Sequence, residues 1–200
     1  MRKLRLLPLS TYALTLLACS QPMLSNYPYQ KEPDPRRAEY VIGVSDNLRI
    51  RVWKNPELNT DIQVRPDGTL TMPLIGDVRA DGLTPSQLRN EIRQRLGVYI
   101  KDEAAIVTVA VTEANSYSVT VSGNVAQPGV FTSRQYLTVA DAIALAGGPT
   151  RFANPDDAVL IRSDGRGGVR RIPINYTQIA KGVATKANLV LMRGDALFVP

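Results

Sequence analysis

Residues 83–88, Leu-Thr-Pro-Ser-Gln-Leu, mark the start of a helix. Thr84 can cap this helix while Gln87 reaches back to it as the third residue of a capping box, and Pro85 suits the first helical position. The apolar side chains that follow lie one turn apart on one face: Leu88, Ile92 and Leu96. Gly97 can end the helix in a left-handed conformation. The sequence therefore predicts an amphipathic helix that packs against a core.

The residues that precede this helix have the two-residue period of β-strands. Leu48, Ile50 and Val52 alternate with Arg49 and Arg51. This alternation predicts a strand with one buried face and one solvent-exposed face.

The stretch 65–68, Arg-Pro-Asp-Gly, is a turn signal between two apolar segments. Ile62 and Val64 precede it, and Leu70 and Met72 alternate after it. Because proline, aspartate and glycine in this order favour a tight reversal of the chain, we expect the two segments to be the arms of one hairpin.

The second half of the chain repeats this organisation. Residues 105–112 alternate as a strand that ends the first unit, and Val119 and Val121 begin the second. Residues 137–141, Leu-Thr-Val-Ala-Asp, repeat the cap pattern, and the following helix stops at residues 147–149, Gly-Gly-Pro. The remaining strand segments are 159–161 and 169–174, around a glycine-rich loop, and 189–191 and 196–199, around Arg193-Gly194-Asp195. Strand hairpins around a short capped helix, twice over, indicate an α+β fold of the β-grasp kind.

The single cysteine, Cys19, follows a short apolar run behind a basic start. Residues 1–18 have the parts of a secretory signal peptide and end in Leu-Leu-Ala before the cysteine. A cysteine at the cut can carry a diacylglyceryl group and an acylated amine, and two or more chains hold a protein stably on a membrane. Ser20, in place of an aspartate, favours the outer membrane. We predict a lipoprotein that faces the periplasm; a cleaved signal with an incidental cysteine, or a buried thiol, is the alternative.

Residues 19–38 read as a lipidated, proline-rich tether. They contain Pro22, Pro28, Pro33 and Pro35 and no apolar periodicity. We expect a semi-extended segment that holds the folded part away from the bilayer.

Composition excludes several classes of chemistry. The formal net charge of +6 falls to +3 when the three basic residues of the signal segment are removed, so nucleic acid is not implied. The chain has no histidine, and its one cysteine is assigned to lipid. Disulfides, thiolate zinc sites, Cys nucleophiles and Ser-His pairs are thereby excluded. We expect no catalytic residue, no metal and no cofactor other than the covalent lipid.

Motifs along the mature chain resemble the outer-membrane polysaccharide export lipoproteins, the Wza-type family. Residues 40–46 and 48–53 look like the family's opening motif, in which Ser45 replaces a usual second glycine. The export-domain motifs continue at 65–68, 73–78 and 82–84, and motifs of a soluble-ligand-binding β-grasp (SLBB) domain lie at 123–125, 127–129, 146–148, 193–195 and 199–200. The resemblance implies two small β-rich domains with one capped helix each, an export domain at 39–114 and an SLBB domain at 115–200.

The resemblance implies a homo-oligomeric periplasmic ring, lipid-anchored in the outer membrane, that conducts capsule polysaccharide or exopolysaccharide outward. An inner-membrane polysaccharide co-polymerase, often linked to a tyrosine kinase, is the implied partner. Longer members continue into a pore-lining helix, and because this sequence stops at Pro200 we expect a separate outer-membrane β-barrel to complete the path. The alternative is a non-conducting periplasmic sugar-binding or assembly-scaffold lipoprotein that binds oligosaccharide as a monomer.

Most motif residues are expected to have structural roles. Glycines can supply positive φ at turns, as we expect for Gly43, Gly68, Gly76, Gly129 and Gly194, and aspartates can hydrogen bond the local backbone. The structural set is Gly43, Asp46, Asp67, Gly68, Gly123, Gly129, Gly147, Gly148, Gly194 and Asp195.

A basic cluster around the glycine-rich loop is the candidate contact for polysaccharide or a partner. It comprises Arg162, Arg166, Arg170 and Arg171 and could meet acidic sugars or phospholipid head groups. A solvated hairpin without a ligand is the favoured interpretation.

Two aromatic residues and three acidic residues are less favoured candidates for functional residues. Trp53 and Tyr117 either stack on sugar rings or fill the edge of a core, and core packing is the favoured interpretation. A glycosidase that uses two of Asp61, Asp67 and Asp77 is disfavoured, because these acids lie in predicted turns and no cleft signal accompanies them.

Overall fold

The computed structural model describes residues 27–100, 106–165 and 167–200, which form two hydrophobic cores. The first core belongs to the export-like half and the second to the β-grasp half. Cys19, the signal segment and Arg166 lie outside the described residues. Within the described ranges, no helix has both the length and the apolar character needed to cross a bilayer.

The first domain is a small sheet covered by one helix. Its elements are β1 (Asn47–Val52), β2 (Thr60–Gln63), β3 (Thr69–Met72), β4 (Gly76–Arg79), α1 (Pro85–Leu96) and β5 (Val107–Glu113). β1 is central in an antiparallel sheet of order β2-β1-β5, while β3 and β4 form a separate antiparallel pair. Helix α1 packs beside β5. As predicted, Leu48, Ile50 and Val52 are buried and form part of the core.

The predicted capping box at the start of α1 is confirmed. The Thr84 hydroxyl accepts a hydrogen bond from the Gln87 N–H at 3.2 Å, and the Gln87 side chain accepts one from the Thr84 N–H at 2.9 Å. The three predicted core residues of α1 are fully buried. Gly97 is right-handed, with φ of −58°, so the predicted left-handed end is wrong. The chain instead continues the turn, and the N–H groups of Tyr99 and Ile100 both donate to the Leu96 carbonyl.

The predicted hairpin across residues 65–68 is wrong in its strand pairing. The turn itself forms, because the Gly68 N–H donates to the Arg65 carbonyl at 2.8 Å. However, β2 pairs with β1, and β3 pairs with β4 across residues 73–75. The Val64 N–H donates to the Asp46 carbonyl, which holds this arm on the first sheet. The turn signal was therefore correct, and the partner of each strand was not.

The second domain has the β-grasp arrangement. Its elements are β6 (Ser118–Gly123), β7 (Gly129–Thr132), α2 (Val139–Leu145), β8 (Ala158–Ser163), β9 (Val169–Ile174), α3 (Tyr176–Ala180) and β10 (Ala196–Val199). The sheet order is β7-β6-β10-β8-β9. β10 runs parallel to β6 and antiparallel to β8, so the last strand lies between two hairpins.

Two details of the second domain differ from prediction. The domain has a second short helix, α3, whose Asn175 side chain accepts a hydrogen bond from the Gln178 N–H at 2.8 Å. Asparagine three residues before glutamine is a cap signal that the sequence analysis missed. Residues 189–191 form no strand and make only an isolated bridge, between Val190 and Thr138.

Asp46, just before β1, joins the two domains. Its side chain is fully buried and accepts hydrogen bonds from the Tyr40 hydroxyl at 2.7 Å and the Gly43 N–H at 2.8 Å. It also accepts from the N–H of Ser116 at 2.7 Å and from the Ser116 hydroxyl at 3.0 Å. Since Ser116 lies two residues before β6, one carboxylate connects the start of the first sheet to the start of the second domain.

The residues close to Asp46 show why small side chains occur where the two domains meet. Gly43 and Gly129 lack the predicted positive φ. At Gly43 the requirement is space, because the guanidinium of Arg193 lies where a Cβ would stand. Ser45 has φ of +72°, the left-handed region that glycine adopts most readily, so the family's usual glycine has a physical reason here.

Residues 27–38, which we call the strap, pack on the second domain. The rings of Tyr27 and Tyr29 contact the second core, and the Tyr29 hydroxyl donates to the Pro173 carbonyl at 2.7 Å. The described part of the predicted tether 19–38 is therefore not a free spacer. Its prolines indicated an extended segment, but its tyrosines find partners that lie far along the chain.

The strap is joined to the second domain by buried charge. The Arg162 side chain is only 2% exposed and forms ion pairs with Glu32 at 3.1 Å and with Asp195 at 2.7 Å. Arg170 also pairs with Glu32, at 2.9 Å. The Glu32 side chain is 3% exposed, so the strap contributes a buried anion that the second domain needs.

We expect Asp46→Asn to destabilise the protein by about 2–3 kcal/mol. The amide nitrogen that replaces one carboxylate oxygen is a donor, and it would face donors such as the Gly43 and Ser116 N–H groups. Urea unfolding followed by circular dichroism measures the loss. The exposed control Asp156→Asn should stay within about 0.5 kcal/mol of the wild type; equal stability of the two variants would show that the joint does not depend on this carboxylate.

We expect Glu32→Ala to release the strap and to cost about 3 kcal/mol, because Arg162 loses one of its two buried anions. Trypsin should then cut after Arg36 or Arg37 at least about tenfold faster, as a locally opened segment is cleaved in proportion to its open population. Glu57→Ala, which removes an exposed glutamate, is the control.

The double variant Glu32→Ala/Arg162→Met removes both members of the ion pair. It shows how much of the lost stability comes from the unpaired charge of Arg162. It should recover part of the lost stability, because the unpaired buried cation is then absent. Unchanged trypsin cleavage in Glu32→Ala would mean that the ion pair does not hold the strap.

Candidate functional site

The predicted basic cluster does not form a common exposed surface. Arg162 is buried between Glu32 and Asp195, so the prediction of a polysaccharide contact is wrong for this residue while the strap is in place. Arg170 is 45% exposed and is also paired with Glu32. Arg171 is exposed on β9, and Arg166 lies outside the described residues. The pattern missed the burial because the anions that neutralise Arg162 are 130 and 33 residues away in sequence.

Most of the other residues singled out from the sequence have structural roles, and Trp53 is unexpectedly exposed. Asp195 accepts hydrogen bonds from Arg162 and from the Met192 N–H, and it is buried. The glycines with positive φ among the predicted set are Gly68, Gly123, Gly147, Gly148 and Gly194, and Gly76 also has a positive φ. Tyr117 is buried, as favoured, but Trp53 is 63% exposed at the far end of β1, so core packing is wrong for the tryptophan.

The three acids considered for glycosidase chemistry are all bound to arginine. Arg65 contacts both Asp67 and Asp77, and the hydroxyl of Thr69 also holds the pKa of Asp67 low, at about 2. Bonds from Thr71 and Arg65 lower the pKa of Asp77, and the Arg51 guanidinium lowers that of Asp61. A glycosidase acid needs a raised pKa, and these shifts have the opposite sign.

A cleft lies where the strap, the first domain and the second domain meet. Its volume is about 380 Å³, within the range of about 300–1,000 Å³ that is usual for small-molecule sites. We call it the junction cleft and define it by Asp34, Glu39, Tyr40, Tyr117, Tyr136 and Arg193. No single segment contributes the whole set, so no sequence motif marks it.

Hydrogen bonds of the hydroxyl groups fix two tyrosine rings of the junction cleft. The Tyr40 hydroxyl donates to Asp46, and the Tyr117 hydroxyl donates to the Leu191 carbonyl at 3.1 Å and accepts from the Leu137 N–H at 3.0 Å. Burial raises the pKa of Tyr40 and of Tyr117 above the usual value. The Tyr117 and Tyr136 rings meet edge to face, with centroids 5.2 Å apart. Their geometry is therefore set by the fold.

The polar residues of the junction cleft carry both signs of charge. Arg193 is 41% exposed and approaches Asp81 at 3.6 Å. The Arg36 guanidinium holds the pKa of Asp34 at about 2, and the Ser86 N–H lowers the pKa of Glu39. Both carboxylates are thus ionised at neutral pH. Among the described residues, no group of three or more acidic or cysteine side chains is arranged to hold a metal ion.

Comparisons with known proteins agree with the two halves of the fold. Residues 34–112 match the family model described as polysaccharide biosynthesis/export protein, and residues 118–174 match that of the SLBB domain. The exopolysaccharide production protein ExoF of Rhizobium meliloti (strain 1021) is 34% identical over 131 residues, which are 60% of this chain and 30% of the relative.

Two further relatives have outer-membrane export names. The EPS I polysaccharide export outer membrane protein EpsA of Ralstonia nicotianae is 27% identical over 184 residues, 80% of this chain and 47% of the relative. The capsule polysaccharide export outer membrane protein CtrA of Neisseria meningitidis serogroup A is 29% identical over 130 residues, 65% of this chain and 31% of the relative. The chain thus spans less than half the length of these relatives. By its two domains and their order, the chain is similar to the Wza-type polysaccharide export proteins.

Proposed function

We propose that this protein is an outer-membrane component of a machine that exports capsule polysaccharide or exopolysaccharide. The observation that carries the proposal is the pair of domains in their order, a polysaccharide biosynthesis/export domain followed by an SLBB domain. The names of EpsA and CtrA support both the outer-membrane location and the polysaccharide cargo.

We also propose that Cys19 carries the lipid that holds the protein on the periplasmic side of the outer membrane. The support is the signal-like segment that ends in Leu-Leu-Ala before this cysteine. The strap begins only eight residues later, at Tyr27. The lipid and the docked strap would therefore be joined by at most about 30 Å of chain.

The proposed mode of action is a ring of identical subunits with no catalytic step. The buried joint at Asp46 and the docked strap connect the two domains at two places, and such a unit suits packing into a closed assembly. The lowered pKa values of Asp61, Asp67 and Asp77 support a role without acid catalysis. The co-polymerase and the other partner proteins implied by the resemblance remain predictions.

We expect deletion of the gene to abolish secretion of the polymer, and a plasmid with the wild-type gene to restore it. Cys19→Ala should restore little or none, because the protein loses its lipid and leaves the outer-membrane fraction. Ser20→Ala is the matched control and should behave as the wild type. Polymer measurement and membrane fractionation give the readouts; normal secretion in the deletion strain would refute the export function, and normal secretion with soluble Cys19→Ala would refute the anchor.

Native mass spectrometry of the detergent-extracted protein distinguishes a ring from the scaffold alternative. We expect a closed homo-oligomer of defined subunit number, because identical head-to-tail contacts close into rings. A stable monomer that binds oligosaccharide would instead support a sugar-binding or scaffold lipoprotein.

A further inference from the structure

The junction cleft is built only when the strap is docked. Asp34 comes from the strap, Glu39 and Tyr40 from the segment that follows it, and Tyr117, Tyr136 and Arg193 from the second domain. The buried pairing of Glu32 with Arg162 holds one side of this cleft in place. A ligand bound here would therefore contact all three parts of the chain at once.

The walls of the cleft suit a flat, partly apolar ligand. Three tyrosine rings line it, and two of their hydroxyls are already satisfied by Asp46 and by the backbone around Leu137 and Leu191. Tyr40 therefore offers mainly ring surface, while the buried Tyr117 supports the Tyr136 ring from the core side. The C–H face of a pyranose ring is a matching partner for an aromatic surface of this kind.

One tyrosine also offers a polar group. Tyr136 is half-buried, burial alone raises its pKa, and its hydroxyl has no hydrogen-bond partner among the described residues. Among the described residues no buried side-chain oxygen lacks a partner, so the Tyr136 hydroxyl is open to solvent and can donate to a ligand.

The charges of the cleft favour a neutral ligand over an acidic one. The charged side chains that line the cleft already have partners: Asp34 pairs with Arg36 at 2.8 Å, Arg193 approaches Asp81 at 3.6 Å, and Glu39 accepts from the Ser86 N–H. An anionic sugar would therefore find no unpaired cation among the residues that line the cleft, and it would meet the negative charge of Glu39. Sugar hydroxyls both donate and accept, so they can use the carboxylates as acceptors and Arg193 and Tyr136 as donors.

We propose that the junction cleft binds a neutral pyranose unit of a polysaccharide. This proposal rests on the proposed export function, and it adds a binding site and the class of its ligand. Tyr136 and Arg193 donate to hydroxyls of the sugar, the partly exposed rings of Tyr40 and Tyr136 pack against its apolar face, and the strap covers one side. Arg162 takes no part, since it is buried.

The test uses the purified full-length protein in detergent on a printed array of neutral and uronate-containing oligosaccharides. We expect binding to at least one neutral oligosaccharide and weaker binding to its uronate counterpart. The best neutral oligosaccharide is then measured by titration calorimetry. Tyr136→Phe should weaken its binding about tenfold, the loss of one hydrogen bond, whereas the exposed Tyr99→Phe should not change it.

Two results would overturn the proposal. One is the absence of binding to any neutral oligosaccharide on the array, or a preference for the uronates. The other is equal affinity of Tyr136→Phe and Tyr99→Phe, which would place the sugar elsewhere on the molecule. Equal unfolding midpoints of the two variants show that a difference in affinity does not come from misfolding.

The same variants separate this proposal from the export function. If the wild-type gene restores secretion in the deletion strain but the cleft binds no sugar, the export function stands and the site is refuted. If the cleft binds sugar but the deletion strain secretes normally, the export function fails and a sugar-binding lipoprotein is supported.

Discussion

The second domain depends on the burial of one cation, the guanidinium of Arg162. Moving a charge out of water is costly, and the cost is offset only when anions and hydrogen bonds surround it. Asp195 accepts two of its N–H groups, Glu32 accepts a third and the Val190 carbonyl another. These partners come from the strap, from the turn before β10 and from the segment before that turn. The domain is thus closed by residues from both ends of the described chain.

A second polar centre, Asp46, connects the domains, and the two centres together define the junction cleft. Asp46 positions Tyr40 and Ser116, while the Glu32 and Arg162 pair holds the strap beside them. Arg193 lies over Gly43 and near Asp81. The chain therefore crosses from one domain to the other twice, and both crossings are anchored by buried carboxylates. Such a unit presents fixed surfaces, as the proposed ring of identical subunits would require.

The local elements of the fold were predictable from sequence, and the partners of those elements were less so. The capping boxes at Thr84 and Thr138 involve residues three apart, and both formed as predicted. The turn at 65–68 also formed, but its two arms joined different sheets because Val64 hydrogen bonds to Asp46 instead. For the candidate site, the sequence indicated surface arginines, whereas the structure buries the first of them and brings together tyrosines that no motif connects.

By itself, the sequence determined the two capped helices, the alternation of the strands and the family to which the two domains belong. Each of these depends on the spacing of neighbouring residues, which backbone geometry translates directly into local structure. The tertiary structure alone decided that the strap docks, that Arg162 is buried and that a cleft forms at the junction. These features arise from pairs of residues up to 144 positions apart. The free energy of these contacts depends on which groups, distant in sequence, are buried next to each other. A local sequence pattern does not contain that information.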